Sequence, residues 1–326
     1  MRYAGPMSPP RLDILAIGNA IVDVIAPADE ALIAAAGLVK GSMRLIGEAE
    51  ALALHARMTG AQEISGGSAA NMAVGVAALG GRAGFVGLIG PDRLGELFSG
   101  DLAKAGVAYA TPPDPAGTAT ARCLVMVTQD AQRSMCTFPG AAHRLSVAQI
   151  DEAQVASAAT LYLEGYLWDS PSARAALEHA IRVARAAGRK VAVTPSDIAC
   201  VERCGDRYRQ LIAAGQVDML FLNREELTAL AGSEDELAGQ VELLVVTDGP
   251  RGAVAVKGSE RVAAPAAPVA RVVDTTGAGD LFAAGFLFGL TRDRPLAECL
   301  RLGAAAAGEV ISHYGARPVA DLKALI

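Results

Sequence analysis

The sequence predicts an α/β fold: a doubly wound, mostly parallel sheet flanked by helices, with a small β-rich lid. Three observations predict it. Short apolar runs of strand length alternate with segments whose apolar residues recur at i, i+3 and i+4. Aromatics are only 4% of the 326 residues while alanine is abundant, a balance that suits helices packed closely on a sheet better than an all-β sandwich. Two stretches, Ile21–Glu63 in part and Ala105–Met135, break the alternation and are the natural source of an added β layer.

In chain order, residues 1–10, with Pro6, Pro9 and Pro10 and no apolar signal core, read as a disordered leader. Residues 11–326 read as one domain, within which about 20–63 (part) and 105–135 contribute the lid. Buried strands are expected at Asp13–Gly18, Ala83–Ile89, Leu161–Gly165, Val191–Thr194, Met219–Leu222, Leu243–Thr247 and Ala253–Lys257. Helices are expected at Ala69–Leu79, Ser172–Ala187, Arg224–Ala231, Leu281–Leu290 and Leu296–His313. In the lid, Ala108–Thr111, a turn at Pro112–Pro115 and the β-formers of Thr118–Thr128 read as a ribbon. Ala263–Pro268 reads as a surface loop.

Composition removes several function classes. Hydrophobic residues reach 52%, yet no apolar run approaches the roughly 20 residues that span a bilayer. A cytoplasmic protein with no membrane partner is expected. The net charge is −6 and basic residues are scattered singly, so nucleic acid is not an expected partner. The five cysteines are an odd number and read as reduced thiols; Cys200 and Cys204 lack a matching pair for zinc. The four histidines show no metalloprotease spacing. Walker, dinucleotide-binding and serine-hydrolase glycine motifs are also absent.

Four segments carry chemistry. Asp274-Thr275-Thr276-Gly277-Ala278-Gly279-Asp280 leads straight into an apolar helical run. Free amides at such a glycine-rich helix start suit an anion, and Asp280 in the first turn is positioned to take a proton from a hydroxyl attacking a phosphate. The alternative is that Asp280 only caps the helix. Gly66-Gly67-Ser68-Ala69-Ala70-Asn71 is either a ligand loop or a turn with Ser68 as helix cap. Thr247-Asp248-Gly249-Pro250-Arg251-Gly252 is either a ligand-lining turn or a plain β-turn. In Asn223-Arg224-Glu225-Glu226 a carboxylate at a strand end reaches a metal-bound water or, alternatively, starts a helix.

In this order and spacing the four segments resemble the ribokinase-like (PfkB) family of carbohydrate kinases, over about Asp13–Pro318. Asp274–Asp280 matches the family's Asp-Thr-x-Gly-Ala-Gly-Asp signature throughout, and Gly66–Gly90 looks like its other signature. Gly18–Asp23 and Tyr162–Tyr166 look more like the adenosine kinase branch than the ribokinase branch. The resemblance implies an ATP-dependent kinase that phosphorylates a hydroxymethyl group of a nucleoside (adenosine-like) or sugar. It makes Asp280 the base and the amides of Gly277, Ala278 and Gly279 the anion hole. It assigns ATP to Asn223, Glu226, Thr247, Gly249, Gly252 and Gly279, with Glu226 acting on Mg²⁺ through water. Acceptor hydroxyls fall to Asn19, Asp23, Gly66, Gly67 and Asn71, and a K⁺ or other monovalent-cation site to Asp274, Thr276, Val310, His313 and Gly315. A monomer or lid-mediated homodimer is expected. The rival reading is a non-catalytic nucleotide or sugar sensor on the same fold.

Overall fold

The computed structural model describes residues 11–130 and 132–325; the expected leader at 1–10 lies outside the described residues. Its strands are β1 (Leu12–Ile17), β2 (Ile21–Pro27), β3 (Met43–Leu45), β4 (Gln62–Ser65), β5 (Ala83–Val86), β6 (Ala108–Tyr109) and β7 (Ala121–Val127). They continue as β8 (Arg133–Phe138), β9 (Ala158–Leu163), β10 (Lys190–Val193), β11 (Met219–Asn223), β12 (Leu243–Thr247), β13 (Ala253–Lys257) and β14 (Glu260–Ala264). A nine-stranded sheet runs β14-β13-β12-β11-β10-β9-β1-β5-β6. From β12 to β6 every neighbouring pair is parallel, and only the pairs β12–β13 and β13–β14 are antiparallel. All seven expected strands lie in this sheet.

Both faces of the large sheet are covered. Ile14, Ala16, Phe85, Tyr162, Phe221 and Val245 pack on one side against Ser68–Ala78, Arg93–Lys104, Ala278–Leu290 and Leu296–Val310. Leu15, Ile17, Leu161, Val193, Leu220 and Val246 pack on the other against Pro171–Ala186, Ile198–Ala213 and Arg224–Ala231. Strands buried on both faces become continuous apolar runs, the pattern the sequence carries. The sheet is also packed by Arg93–Lys104 and Ile198–Ala213, helices beyond those expected from the sequence. Each is capped by an aspartate, Asp92 or Asp197, and buries one apolar stripe.

The second sheet has five strands, β3-β8-β7-β2-β4. One face packs on the helices Glu30–Ala35 and Glu48–His55, through Val24, Ala26, Leu124, Met126 and Phe138 against Ile33, Ala51 and Leu54. Because strand side chains alternate, Asp23, Ile25, Val125, Arg133 and Met135 fall on the other face, and the register sets Asp23 beside Cys123 and Ile64. Two expectations need correction. Ala108–Tyr109 pairs with β5 at the edge of the large sheet, not with the ribbon. Ala263–Ala264 belongs to β14, because the antiparallel register continues from Lys257↔Glu260 to Ala253↔Ala264, so only the segment after it is loop.

Candidate active site

The parallel strands β1, β9, β10, β11 and β12 all deliver their carboxyl ends to one edge, where ligand sites of open α/β sheets form. At that edge Gly277, with φ +79, turns the chain into the helix Ala278–Leu290. A side chain at Gly277 would meet Cβ of Ala316 at 2.7 Å, so glycine is required there by backbone conformation and by space. A Cβ at Gly279 would meet nothing within 4 Å, so the second glycine of the turn borders open space.

Asp280 does not cap its own helix. Ser68 Oγ donates to Asp280 Oδ1 at 2.6 Å and Asn71 Nδ2 to Oδ2 at 3.0 Å. The cap alternative for Ser68 falls with it: Gly67 is the N-cap, and Ser68 is the first helical residue with its hydroxyl committed to Asp280. Burial raises the Asp280 pKa above the ordinary carboxylate value, and the bonds from Ser68 and Asn71 pull it back in part. The two helices meet closely because of Gly75, where a Cβ would lie 2.6 Å from Leu281 Cδ1 and 2.7 Å from Cβ of Ala284. That approach brings residues 68 and 71 within reach of residue 280.

The acceptor-side residues form a second wall. A Cβ at Gly66 would lie 2.5 Å from Asp23 Oδ2, and Gly67 has φ +90 with its α-carbon against the Asn19 carbonyl. Glu164, at the end of β9, ties the wall together: its carboxylate accepts from Asn19 N at 2.6 Å and from Ala69 N at 2.7 Å. Sequence reasoning gave Glu164 no role, although it lies in the Tyr162–Tyr166 segment singled out above. Burial lifts Glu164 to about 8 and Asp23 to about 7, the latter opposed by the positive charges of Arg317 and Arg133. Arg317 places Nε and Nη2 in the interior with no hydrogen-bond partner, and its own pKa is pushed down to about 10 by burial.

Asn223 and Glu226 close a capping box, Asn223 N donating to Glu226 Oε2 at 2.9 Å and Glu226 N to Asn223 Oδ1 at 2.8 Å. The helix-start alternative is therefore realised. Glu226 is also buried, and its pKa rises to about 7. Thr247 ends β12 beside Asn223, and Gly249 (φ +52) and Gly252 (φ +96) bound a short 3₁₀ turn into β13. A side chain at Gly252 would strike the Ala264 carbonyl, which gives that glycine a packing reason of its own.

Asp274 accepts four hydrogen bonds. Thr276 N and Oγ1 donate to its Oδ1 at 2.9 and 2.7 Å, while Gly315 N and Arg133 Nη2 donate to Oδ2 at 3.1 and 2.6 Å. Its pKa is held low: those bonds and the guanidinium outweigh burial. Arg133 also binds Thr276 Oγ1, so the open face of the second sheet looks onto the glycine-rich turn. Val273 and Asp274 both donate to the Ile311 carbonyl, which brings residues 310–315 against 274–276. The His313 ring lies between Glu309 Oε1 and the Tyr314 carbonyl.

A doubly wound sheet with a glycine-rich helix start and a buried carboxylate at its strand ends defines an α/β protein with a candidate anion site at its carboxyl edge. The family model for pfkB family carbohydrate kinases matches residues 13–322, so the chain belongs to that family. It is 32% identical to a 5-dehydro-2-deoxygluconokinase of Shouchella clausii (strain KSM-K16), across 80% of this chain and 86% of that one. Among solved structures it is similar to a probable sugar kinase from Rhizobium etli CFN 42, with TM-score 0.90, 41% identity and coverage of 97% and 100%. It is also similar to an adenosine kinase from Sinorhizobium meliloti, with TM-score 0.88, 46% identity and coverage of 96% and 98%. The chain is a phosphotransferase with an alcohol group of a sugar or nucleoside as acceptor, of a family that uses ATP with a divalent metal. Among the described residues no helix is long and apolar enough to cross a membrane.

Proposed function

We propose that this protein transfers the γ-phosphoryl of ATP to the hydroxymethyl group of an adenosine-like nucleoside, with Asp280 as general base. The observation that carries the acceptor class is the open face of the second sheet. It sets a carboxylate suited to ribose hydroxyls, Asp23, on one face with Ile25, Met135 and the buried Val125, and with Met43 and Leu45 at the sheet edge, 47% and 57% exposed. A free sugar offers little to such a surface, whereas a nucleobase can lay an apolar face against it. Similarity to the Sinorhizobium meliloti adenosine kinase supports the same reading.

In this reading the amides of Gly277, Ala278 and Gly279 hold the oxygens of the transferring group, and the positive end of the helix Ala278–Leu290 favours their charge. Asp280 accepts the proton of the attacking hydroxyl while Ser68 and Asn71 fix its orientation. Asn19, Asp23, Gly66, Gly67 and Asn71 hold the acceptor. Thr247, Gly249 and Gly252 line the nucleotide, and closure of the second sheet as a lid excludes water. Mg²⁺ would take its ligands chiefly from phosphate and water, with Glu226 acting through water. A monovalent cation such as K⁺ would sit among Asp274, Thr276, Val310, His313 and Gly315, where Arg133 already supplies positive charge to Asp274. The site belongs to the cytoplasm, where ATP is available.

The test is a coupled assay of ADP release from ATP and Mg²⁺ over nucleosides and sugars, with and without K⁺. Turnover with adenosine well above that with ribose, fructose or 5-dehydro-2-deoxygluconate is the expected result. Preference for an anionic sugar would move the reading to the arginines beside Asp23, and absence of turnover with every acceptor would favour the sensor.

A further inference from the structure

Ser196 stands at the carboxyl end of β10 with φ +68, one of two non-glycine residues among those described that adopt a positive φ. A serine in the left-handed region is held there only by its surroundings, and such residues gather at functional sites. Here the surroundings are specific. Thr194 N donates to the Leu163 carbonyl at 3.0 Å, which ties the end of β10 to the end of β9. A side chain at Gly165 would strike the Pro195 carbonyl, so the two strand ends press directly backbone to backbone. Ser196 N donates to Thr194 Oγ1 at 3.3 Å, and the Tyr166 hydroxyl donates to the Ser196 carbonyl at 3.4 Å.

The side chain that this conformation aims lies in line with the proposed base. Ser68 Oγ commits its only hydrogen to Asp280 Oδ1 at 2.6 Å, and it lies 3.3 Å from Ser196 Oγ. Toward Ser196 the Ser68 oxygen can therefore act only as acceptor, which makes Ser196 the donor. Ser196 Oγ in turn accepts from Gly165 N at 3.4 Å. The donors run in one direction, Gly165 N–H to Ser196 O–H to Ser68 O–H to the Asp280 carboxylate, and each link polarises the next.

We propose that Ser196 is a positioning residue for phosphoryl transfer: through Ser68 it aims a donor at Asp280, keeping that carboxylate ionised and its remaining lone pairs free for the acceptor hydroxyl. This rests on the assignment of Asp280 as base. Burial raises the Asp280 pKa and the Ser68 bond opposes the rise, so weakening the relay moves the acid form upward in pH. Glu164, Glu226 and Asp23 also interact with Asp280 and are left unaltered by the substitutions at Ser196.

Two substitutions separate the hydroxyl from the backbone. Ser196→Ala removes the hydroxyl and keeps the strained conformation, whereas Ser196→Gly removes the hydroxyl and relieves it. With adenosine and ATP, both are expected to lower kcat by roughly 2- to 10-fold, the worth of one hydrogen bond. Both should shift the acidic limb of the kcat–pH profile upward by about 0.5 to 1 unit, with KM for ATP unchanged. Wild-type kcat and profile in both variants would overturn the proposal, as would an impaired alanine variant beside a normal glycine variant. Asp280→Asn is measured alongside: near-wild-type turnover there removes the base, and the relay with it, whereas lost turnover beside wild-type-like Ser196 variants removes the relay alone.

Discussion

The two sheets are built from similar strands and are covered differently. The nine-stranded sheet is packed on both faces, and its residues at the ligand edge come from strand ends and turns such as Glu164, Asn223 and Gly277. The five-stranded sheet packs one face on its own two helices, and from its other face Asp23 projects from the interior of β2 and Arg133 from the first position of β8. A sheet buried on both sides is rigid and holds a reacting geometry. One left half-covered keeps apolar surface that a ligand can still bury. On the proposed function, chemistry falls to the large sheet and much of acceptor choice to the small one, and substitutions on each side should separate in the kinetics.

The largest effect belongs to the large sheet. Asp280→Asn keeps the shape of the side chain and removes its basicity, so kcat is expected to fall by at least about 10²-fold while KM for ATP changes little. Steady-state turnover over a range of ATP concentrations checks this. Near-normal turnover would end the assignment of the base. On the small sheet, Asp23→Ala removes, on the proposed reading, a carboxylate that accepts hydrogen bonds from the acceptor's hydroxyls. That should raise KM for adenosine roughly 10- to 100-fold, with a much smaller change in KM for ATP. A drop in kcat alone, with KM for adenosine intact, would contradict the division between the sheets.

Glycine 75 tests the joint that makes the chemistry possible. Gly75→Val drives a branched side chain into Leu281 and Ala284, forcing apart the helices that carry Asn71 and Asp280. The expected cost is about 1–3 kcal/mol of stability, together with a fall in kcat that exceeds the change in KM for adenosine. Thermal unfolding and kinetics on the same sample measure both. An unchanged kcat in a destabilised protein would show that the spacing of Asn71 and Asp280 does not matter to turnover.

This joint also marks the limit of what the chain reveals before folding. Strands β1, β5 and β9 to β13 are legible because burial on two faces leaves continuous apolar runs, and Gly277–Asp280 is legible because a helix start is a local event. The small sheet is harder to read: Met43–Leu45 is three residues long and finds its partner at Met135–Thr137. Glu164 escaped because its partners lie 95 and 145 residues away, and Arg133 because it meets Asp274 across 141. Ser68 reads locally as a helix cap, the usual use of a serine there, whereas its actual partner is 212 residues distant. Contacts of that separation follow from the crossing of strands and helices, and nothing in the neighbouring residues encodes them. The clue available was position: each missed large-sheet residue, Glu164 and Ser196 included, sits just past the carboxyl end of a parallel strand.

A smaller effect separates the open face from its carboxylate. Met135→Ala trims apolar surface from the small sheet without touching Asp23, and should raise KM for adenosine by about five-fold, near 1 kcal/mol of lost burial. Turnover of any sugar that is accepted at all should be unaffected. Equal losses for nucleoside and sugar would argue against a base lying on that face.

The smallest expected effect is on stability against pH, and it divides between the sheets as well. Asp23, on the small sheet, has its pKa lifted from 3.8 to about 7, and Glu164, on the large one, from 4.5 to about 8, burial being the principal cause in each. A carboxyl whose folded pKa is raised binds its proton more tightly in the native state. Its contribution to stability is therefore full below the unfolded pKa and is lost as pH rises through the folded one. The ligand-free protein should show a melting temperature that declines from about pH 5 to pH 8.5. Asp23→Asn should flatten the part of the decline that ends near 7, and Glu164→Gln the part that extends to about 8. Glu164→Gln also loses one of the two backbone bonds to Asn19 and Ala69, because an amide nitrogen cannot accept a hydrogen bond from a backbone N–H; its curve should be lower as well as flatter. Melting curves that rise with pH would mean that both carboxylates are ionised in the folded protein, with Arg317 and Arg133 outweighing burial at Asp23 and the two amides outweighing it at Glu164.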